Sequence, residues 1–333
     1  MQRRKFLSAG FGALAAGAGA FCFGQASAPG AFEPGPELAP GRRLFRGADL
    51  AFGTTVTIQL VHDSERDARL AIEDAFRAAH NIDRLLSIYR PGSQVYELNR
   101  TGRLLRPDPH LLNVLAESRR LSQLSGGAFD VTVQPLWLAA AAGLDRRSAL
   151  ALVGGRLQFD RHQVRLPRAG MAITLNGIAQ GYATDLALDA LRARGIRDAL
   201  VDIGEFSGIG RRSPQQPWHV GIQDPRHKDR LLGVMPLEAR SLATSGDYET
   251  TFSADFSRHH IVDPASGESP PELASVTVAA PSAMLADGLS TALMVLGTEP
   301  GMRLLREMPG VDALFVDKAG ARKQSAGFHW TAT

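Results

Sequence analysis

The residues of this chain best suited to chemistry lie near its C-terminal end: Asp287, Ser290 and Thr291. They occupy i, i+3 and i+4 of the run AMLADGLSTALMVL (283–296), which is otherwise almost wholly apolar. At that spacing a carboxylate and two hydroxyls share one face of a helix, and the apolar remainder predicts that the helix is buried. A buried carboxylate without a partner is costly. Carboxylate, hydroxyl and main-chain carbonyl are hard oxygen donors of the kind Mg²⁺ takes, with phosphate oxygens completing the shell. A structural role is equally open: Asp287 capping a neighbouring loop, Thr291 bonding its own helix backbone.

His259 and His260 precede Ile261-Val262-Asp263-Pro264 at a strand end and lie close to the polar run Thr244-Ser245-Gly246-Asp247-Tyr248. One of them is a candidate proton acceptor; the other reading is a structural histidine. Asp130 follows the Gly126-Gly127 turn and precedes Pro135, a placement that suits a site loop or a plain surface turn.

A third signal is the stretch 171–210, which the rest of the chain is built around. It predicts a short strand at 172–175, a bend at Asn176-Gly177, a helix from Ile178 and a strand at 199–203. Ile178, Tyr182, Leu186 and Ala190 recur every four residues, and Arg192, Arg194 and Gly195 mark the helix end. Such a turn delivers backbone N–H groups and a helix N-terminus to one spot, where an anion is favoured. A simple packing unit with a tight turn reads the same way.

These groups need a frame. Periodicity predicts strand over 44–60, a long amphipathic helix over 67–89, a short helix from Ser93, another helix over 111–124 and a hairpin over 154–167. Strands follow at 218–223, 232–236, 241–245 and 275–280. Ser282 is a fitting N-cap for the helix 283–296 and Gly297 a fitting stop; helix and strand close the chain over 300–316. Strands and helices mix without regular alternation, so the fold class is α+β, with mixed sheets and packed helices.

The 333 residues hold 37 basic and 34 acidic side chains. Arg3-Arg4-Lys5-Phe6-Leu7, an apolar Gly/Ala-rich run to Phe23, and Ala26-Ser27-Ala28 compose a Tat-type signal peptide over 1–28. Residues 29–43, rich in Pro, Gly and Ala, are expected as a flexible tether, and 44–330 as a single catalytic domain. The leader carries three basic residues and no acid, so the remainder has no charge excess and nucleic acid is not an expected partner. The single cysteine, Cys22, also lies in the leader, which leaves no thiol nucleophile and no Cys-based zinc site. Export to the periplasm is expected, with anchoring in the inner membrane, or a loose membrane association, where the leader stays uncleaved. No Gly-x-Ser-x-Gly, Walker-type or Gly-x-Gly-x-x-Gly motif is present.

Eight stretches in order carry a resemblance: FGTTVTI (52–58), LLSIYRPGSQVYELN (85–99), GGAFDVTVQPLW (126–137), LNGIAQGYATD (175–185), DIGEFSGIG (202–210), ATSGDY (243–248), HHIVDPASG (259–267) and SVTVAAPSAMLADGLSTALMVLG (275–297). In these the chain resembles the ApbE family, the FAD:protein FMN transferases, over nearly all of its length after the leader. The resemblance implies an ApbE/T-fold-like architecture with the flavin site in a cleft between subdomains. It implies Mg²⁺-dependent transfer of FMN from FAD to a Thr or Ser hydroxyl of an exported acceptor protein bearing a flavinylation motif, with AMP released. The alternative on the same scaffold is a Mg²⁺-dependent FAD pyrophosphatase. By resemblance, Asp287 and Thr291 are Mg²⁺ ligands, with Ser290 and Gly177 contributing main-chain oxygens. Flavin contacts fall at Phe52, Tyr89, Ala128, Phe129, Asp130, Thr174, Gln180 and Val262, and His260 is the general base. Three positions depart from the family pattern. Gln180 stands where Lys or an acid is common, Phe52 where Met is common, and Gly204-Glu205 in place of a frequent Gly-Gly.

Overall fold

The computed structural model describes residues 28–333 except 155 and 156; the expected signal peptide, but for Ala28, lies outside the described residues. Nine strands form one antiparallel sheet in the order Ala31–Ala39, Arg42–Ala51, Thr54–His62, Ala199–Asp202, Phe206–Ile209, Ser241–Gly246, Leu273–Ala280, Asp312–Asp317 and Arg322–Gln324. Alternation along these strands sends successive side chains to opposite faces. Phe45, Ile58, Leu60, Val201, Ala243, Val276, Val278 and Phe315 face the helices. Their neighbours Leu44, Val61, Leu200, Leu242, Ala279, Leu314 and Val316 face a small sheet, where Trp218, Val220, Met235 and Leu237 meet them. That sheet holds Trp218–Gln223, Leu231–Leu237 and Thr331–Ala332.

On the first face lie three helices, Glu65–Leu86, Ala179–Ala193 and Ala283–Leu296. Their apolar stripes supply Ile72, Phe76, Ala183, Ala187, Leu289 and Leu293 to the same core. Ser64 caps the first by accepting from the Asp67 N–H at 3.2 Å, and Ser282 caps the third by accepting from the Leu285 N–H at 3.3 Å. Beside them sit the helices Gln94–Thr101, Pro109–Leu124 and Gln134–Ala142 and a third sheet of Arg103–Leu105, Gln158–Phe159 and Gln163–Arg165. The α+β class holds.

Four local expectations give way to tertiary structure. The segment 29–43 is not a tether: Ala31–Ala39 pairs antiparallel with Arg42–Ala51 as an edge strand, and Phe32 stacks on Phe45 with 5.7 Å between centroids. The strand expected over 44–60 is a hairpin, with Ala51 opposite Thr54. Its two-residue turn is Phe52-Gly53, with φ +53° and +78°, the positive values a type I′ turn needs at both positions. Phe-Gly is a weak turn signal because Phe rarely adopts positive φ. The first helix stops at Leu86 rather than 89, since the Ser87 hydroxyl accepts from the Tyr89 and Arg90 N–H groups at 3.2 Å each. Finally, 172–175 forms no strand. The Asn99 side chain replaces a strand partner, accepting from the Ile173 N–H at 2.7 Å and donating to the Ile173 carbonyl at 2.8 Å.

Candidate active site

The site begins where two helices nearly touch. Asp287 on Ala283–Leu296 is buried, and its Oδ2 accepts from the Gly181 N–H, in the first turn of Ala179–Ala193, at 3.0 Å. A Cβ at Gly181 would sit 2.7 Å from the Asp287 Cβ and closer still to the Ala283 carbonyl, so this approach admits only glycine. One carboxylate, Asp185, tightens the same junction. It accepts from the Ala283 and Met284 N–H groups at 2.7 and 2.9 Å, as a carboxylate does at a helix N-terminus. Burial nevertheless raises it to about 6.

One helical turn beyond Asp287 the hydroxyls assemble. Ser290 Oγ donates to the Asp287 carbonyl at 2.8 Å. Ser245, on the strand Ser241–Gly246, reaches both Ser290 Oγ at 2.7 Å and Thr291 Oγ1 at 3.3 Å. A Cβ on Gly177 would lie 2.8 Å from Thr291 Oγ1. Asp287, Ser290, Thr291 and Gly177, separated by up to 114 positions in sequence, thus meet in space. Burial raises Asp287 to about 7, against the Gly181 hydrogen bond, with Asp185 adding to the rise. Among the described residues no further protein donor reaches this carboxylate, and no group of three or more His, Cys, Asp or Glu side chains is placed to hold a metal. The donors present are one carboxylate, hydroxyls and a turn backbone. Such a set fits a hard divalent cation that completes its shell with ligand oxygens.

Two further residues, Ser245 and Glu205, stand beside this cluster without being candidate ligands in sequence. Ser245 lies in the ATSGDY run, where a Thr-Ser pair inside a buried strand is the usable signal. Glu205, between Ala199–Asp202 and Phe206–Ile209, is buried, and its Oε2 has no hydrogen-bond partner among the described residues. Its departure from Gly-Gly was the signal.

The flavin candidates are partly gathered. The Thr174 N–H donates to the Val131 carbonyl at 2.8 Å, which joins 128–131 to the bend before Gly177. Phe129 is buried in the core. Asp130 caps its own short 3₁₀ turn, accepting from the Thr132 N–H at 2.7 Å and hydroxyl at 2.6 Å. Gln180 Nε2 donates to the Ile203 carbonyl at 3.3 Å, so its amide ties the helix to the 202–205 turn. Val262 packs against Leu136 and Ala139 just past the Asp130 turn. Phe52 leans on the core from the strained hairpin turn. Tyr89 is 68% exposed, and its side chain bonds to none of the others among the described residues.

The two histidines separate. His259 is fully buried; its N–H donates to Ser269 Oγ at 2.9 Å, and its Nε2 lies 3.3 Å from the Pro270 carbonyl. That is the structural role. His260 is partly open, with Nδ1 3.3 Å from the Thr250 carbonyl. Burial of its ring, helped by His259, pushes it down to about 4, so it is neutral near pH 7. The 247–260 loop that carries it is pinned at its base. Arg226 donates to both oxygens of the fully buried Asp247 at 2.7 and 2.9 Å, and Lys318 Nζ donates to the Phe256 carbonyl at 2.8 Å. A separate cavity of about 250 Å³, bounded by Asp185, Arg192, Ser207, Arg240 and Ser282, includes none of the marked residues.

The sequence profile of the ApbE family matches residues 52–315. The chain belongs to the ApbE family. A relative from Treponema pallidum, named FAD:protein FMN transferase, is 32% identical over 86% of this chain and 88% of its own. Another from Klebsiella pneumoniae, with the same name, is 30% identical over 83% of this chain and 90% of its own. Among solved structures, the flavin transferase ApbE from Vibrio cholerae superposes with TM-score 0.76 at 28% identity, covering 86% of this chain and 98% of that one. The apo flavinyl transferase ApbE from Pseudomonas stutzeri gives 0.72 at 31% identity, covering 86% and 96%. The ApbE match takes in every residue marked above, from Phe52 to Thr291.

Proposed function

We propose that this protein transfers the FMN moiety of FAD to a Ser or Thr hydroxyl of an exported acceptor protein and releases AMP, with Mg²⁺ required. The observation that carries the reading is the meeting of Asp287, Ser290 and Thr291 with the Gly177 bend, in a chain whose relatives bear that activity in their names. Asp287 and Thr291 would hold the cation through side chains, with Ser290 and Gly177 offering main-chain oxygens. A cation there would offset the charge of the FAD diphosphate.

The chain's own residues account for the rest. The bend at 176–177 and the N-terminus of Ala179–Ala193 present N–H groups toward anionic oxygens. Phe52, Phe129 and Val262 offer apolar surface for a flavin ring, and Thr174, Asp130 and Gln180 offer polar edges. The acceptor oxygen attacks the FMN phosphorus, and the bond from that phosphorus to the bridging oxygen breaks, leaving AMP. The hydroxyl proton goes to neutral His260. An incoming diphosphate raises the proton affinity of His260, because a nearby negative charge favours the protonated form. We also place the protein in the periplasm on the strength of its leader; no helix among the described residues is long and apolar enough to cross a membrane.

The test is a mass measurement. Incubated with FAD, Mg²⁺ and an acceptor bearing a Ser/Thr flavinylation motif, the protein should add the mass of FMN to the acceptor. An unmodified acceptor beside free FMN and AMP would instead mark an FAD pyrophosphatase. Asp287→Asn should abolish turnover while keeping the fold, since an amide oxygen still accepts from the Gly181 N–H; retained turnover would remove the cation from the scheme.

A further inference from the structure

Glu205 is a buried acid near the site with no role in the proposed transfer. Its backbone is fixed by its own turn and by the helix Ala179–Ala193. The Glu205 carbonyl accepts from the Ile203 N–H at 3.2 Å and from Thr184 Oγ1 at 3.4 Å. Gln180 Nε2 holds the carbonyl two residues earlier, that of Ile203, at 3.3 Å. Gln180, Gly181 and Thr184 share one turn of Ala179–Ala193, and the Gly181 N–H of that turn is bound to Asp287. Glu205 and Asp287 therefore flank the same helical turn. Thr244, whose backbone faces the Glu205 carboxylate, immediately precedes Ser245, the residue that touches Ser290 and Thr291.

Glu205 is 8% exposed, and its Oε2 is buried with no donor among the described residues. Burial, then the proximity of Asp287 and of Asp202, push its proton affinity well above that of an ordinary glutamate. A carboxylate oxygen orphaned beside a second carboxylate is unfavourable in any protein. The pairing becomes favourable where a cation sits between the two.

We propose that Glu205 is a second carboxylate of the cation site and holds the same divalent ion as Asp287, directly or through one ordered water. The inference rests on the cation reading of Asp287 given above. Two carboxylates supply the full countercharge of a divalent ion. The cation thus binds before FAD arrives and does not depend on the diphosphate for its retention. Where the turn carries Gly-Gly, the second carboxylate is missing at this position.

The experiment uses FAD-free, metal-free protein and Mn²⁺ as the probe, with bound Mn²⁺ read by electron paramagnetic resonance. Wild type should bind Mn²⁺ without flavin, Asp287→Asn should lose it, and Glu205→Gln should bind ~10–100-fold more weakly, the range seen when groups supporting a metal are removed. Melting curves serve as the fold control. Glu205→Gln should melt at or above the wild-type temperature without metal and gain less on adding Mg²⁺. Glu205→Gly, which restores the doublet, should behave likewise and stands in if the glutamine variant does not fold. Equal Mn²⁺ affinity in wild type and both Glu205 variants, with Asp287→Asn lost, would overturn the role of Glu205 alone. Undiminished binding in Asp287→Asn would overturn the cation reading beneath it.

Discussion

His260 shows how burial sets a residue's chemistry. Its lowered proton affinity means that the unfolded chain binds more protons than the native one between about pH 4 and pH 6.5. Its contribution to stability is therefore complete above pH 6.5 and is lost as pH falls through that window. Compared as a difference with His260→Gln, unfolding at a series of pH values should show this slope in wild type only, with an amplitude on the order of 3 kcal/mol at most. In the same variant transfer should slow by about 10²–10⁴ if His260 accepts the proton, with FAD binding retained. Equal rates would pass that role to another group. By residue type alone His259 and His260 were equal candidates, and the resemblance pointed to His260; Ser269 and the Pro270 carbonyl, met only in the fold, enclose His259.

At the scale of elements, the site is a product of two helices held at glycine distance. Gly181→Ala would place a methyl against the Ala283 carbonyl and the Asp287 Cβ. Overpacking of this kind costs about 1–3 kcal/mol. Prising the helices apart also carries Asp287 away from the Gly177 bend. Denaturant unfolding should show that loss, and turnover should fall further than the loss of folded protein explains; normal turnover would mean that the spacing is slack. The pattern of apolar residues foretold these helices to within a few positions, because burial of a stripe is a local demand written every three or four residues. The strand expected at 172–175 failed for a non-local reason: its backbone partner is the side chain of Asn99, 74 positions away from Ile173.

Across the whole molecule, the nine-stranded sheet reaches from the N-terminal edge to the C-terminal hairpin, with the site over its middle strands. Removing 28–39 strips an edge strand and the Phe32 ring, which lies under Arg69 at 3.9 Å, without touching any candidate site residue. The shortened protein should melt at a lower temperature yet retain transfer activity; inactivity in a folded sample would show that the edge strand shapes the site. Composition had suggested a tether there because Pro, Gly and Ala have low strand propensity. Pairing between Arg42 and Ala48 overrides that preference.

Read alone, the chain of residues determined the α+β class, the buried helix 283–296 with its three polar side chains, and, through eight ordered motifs, the family. These are legible because burial patterns and motif order are properties of neighbouring residues. Only the tertiary structure decided that Gly181 bonds Asp287, that Ser245 completes the hydroxyl cluster and that Glu205 lies buried beside it. Each of these depends on distances between segments remote in sequence, which are set by packing and not by local preference.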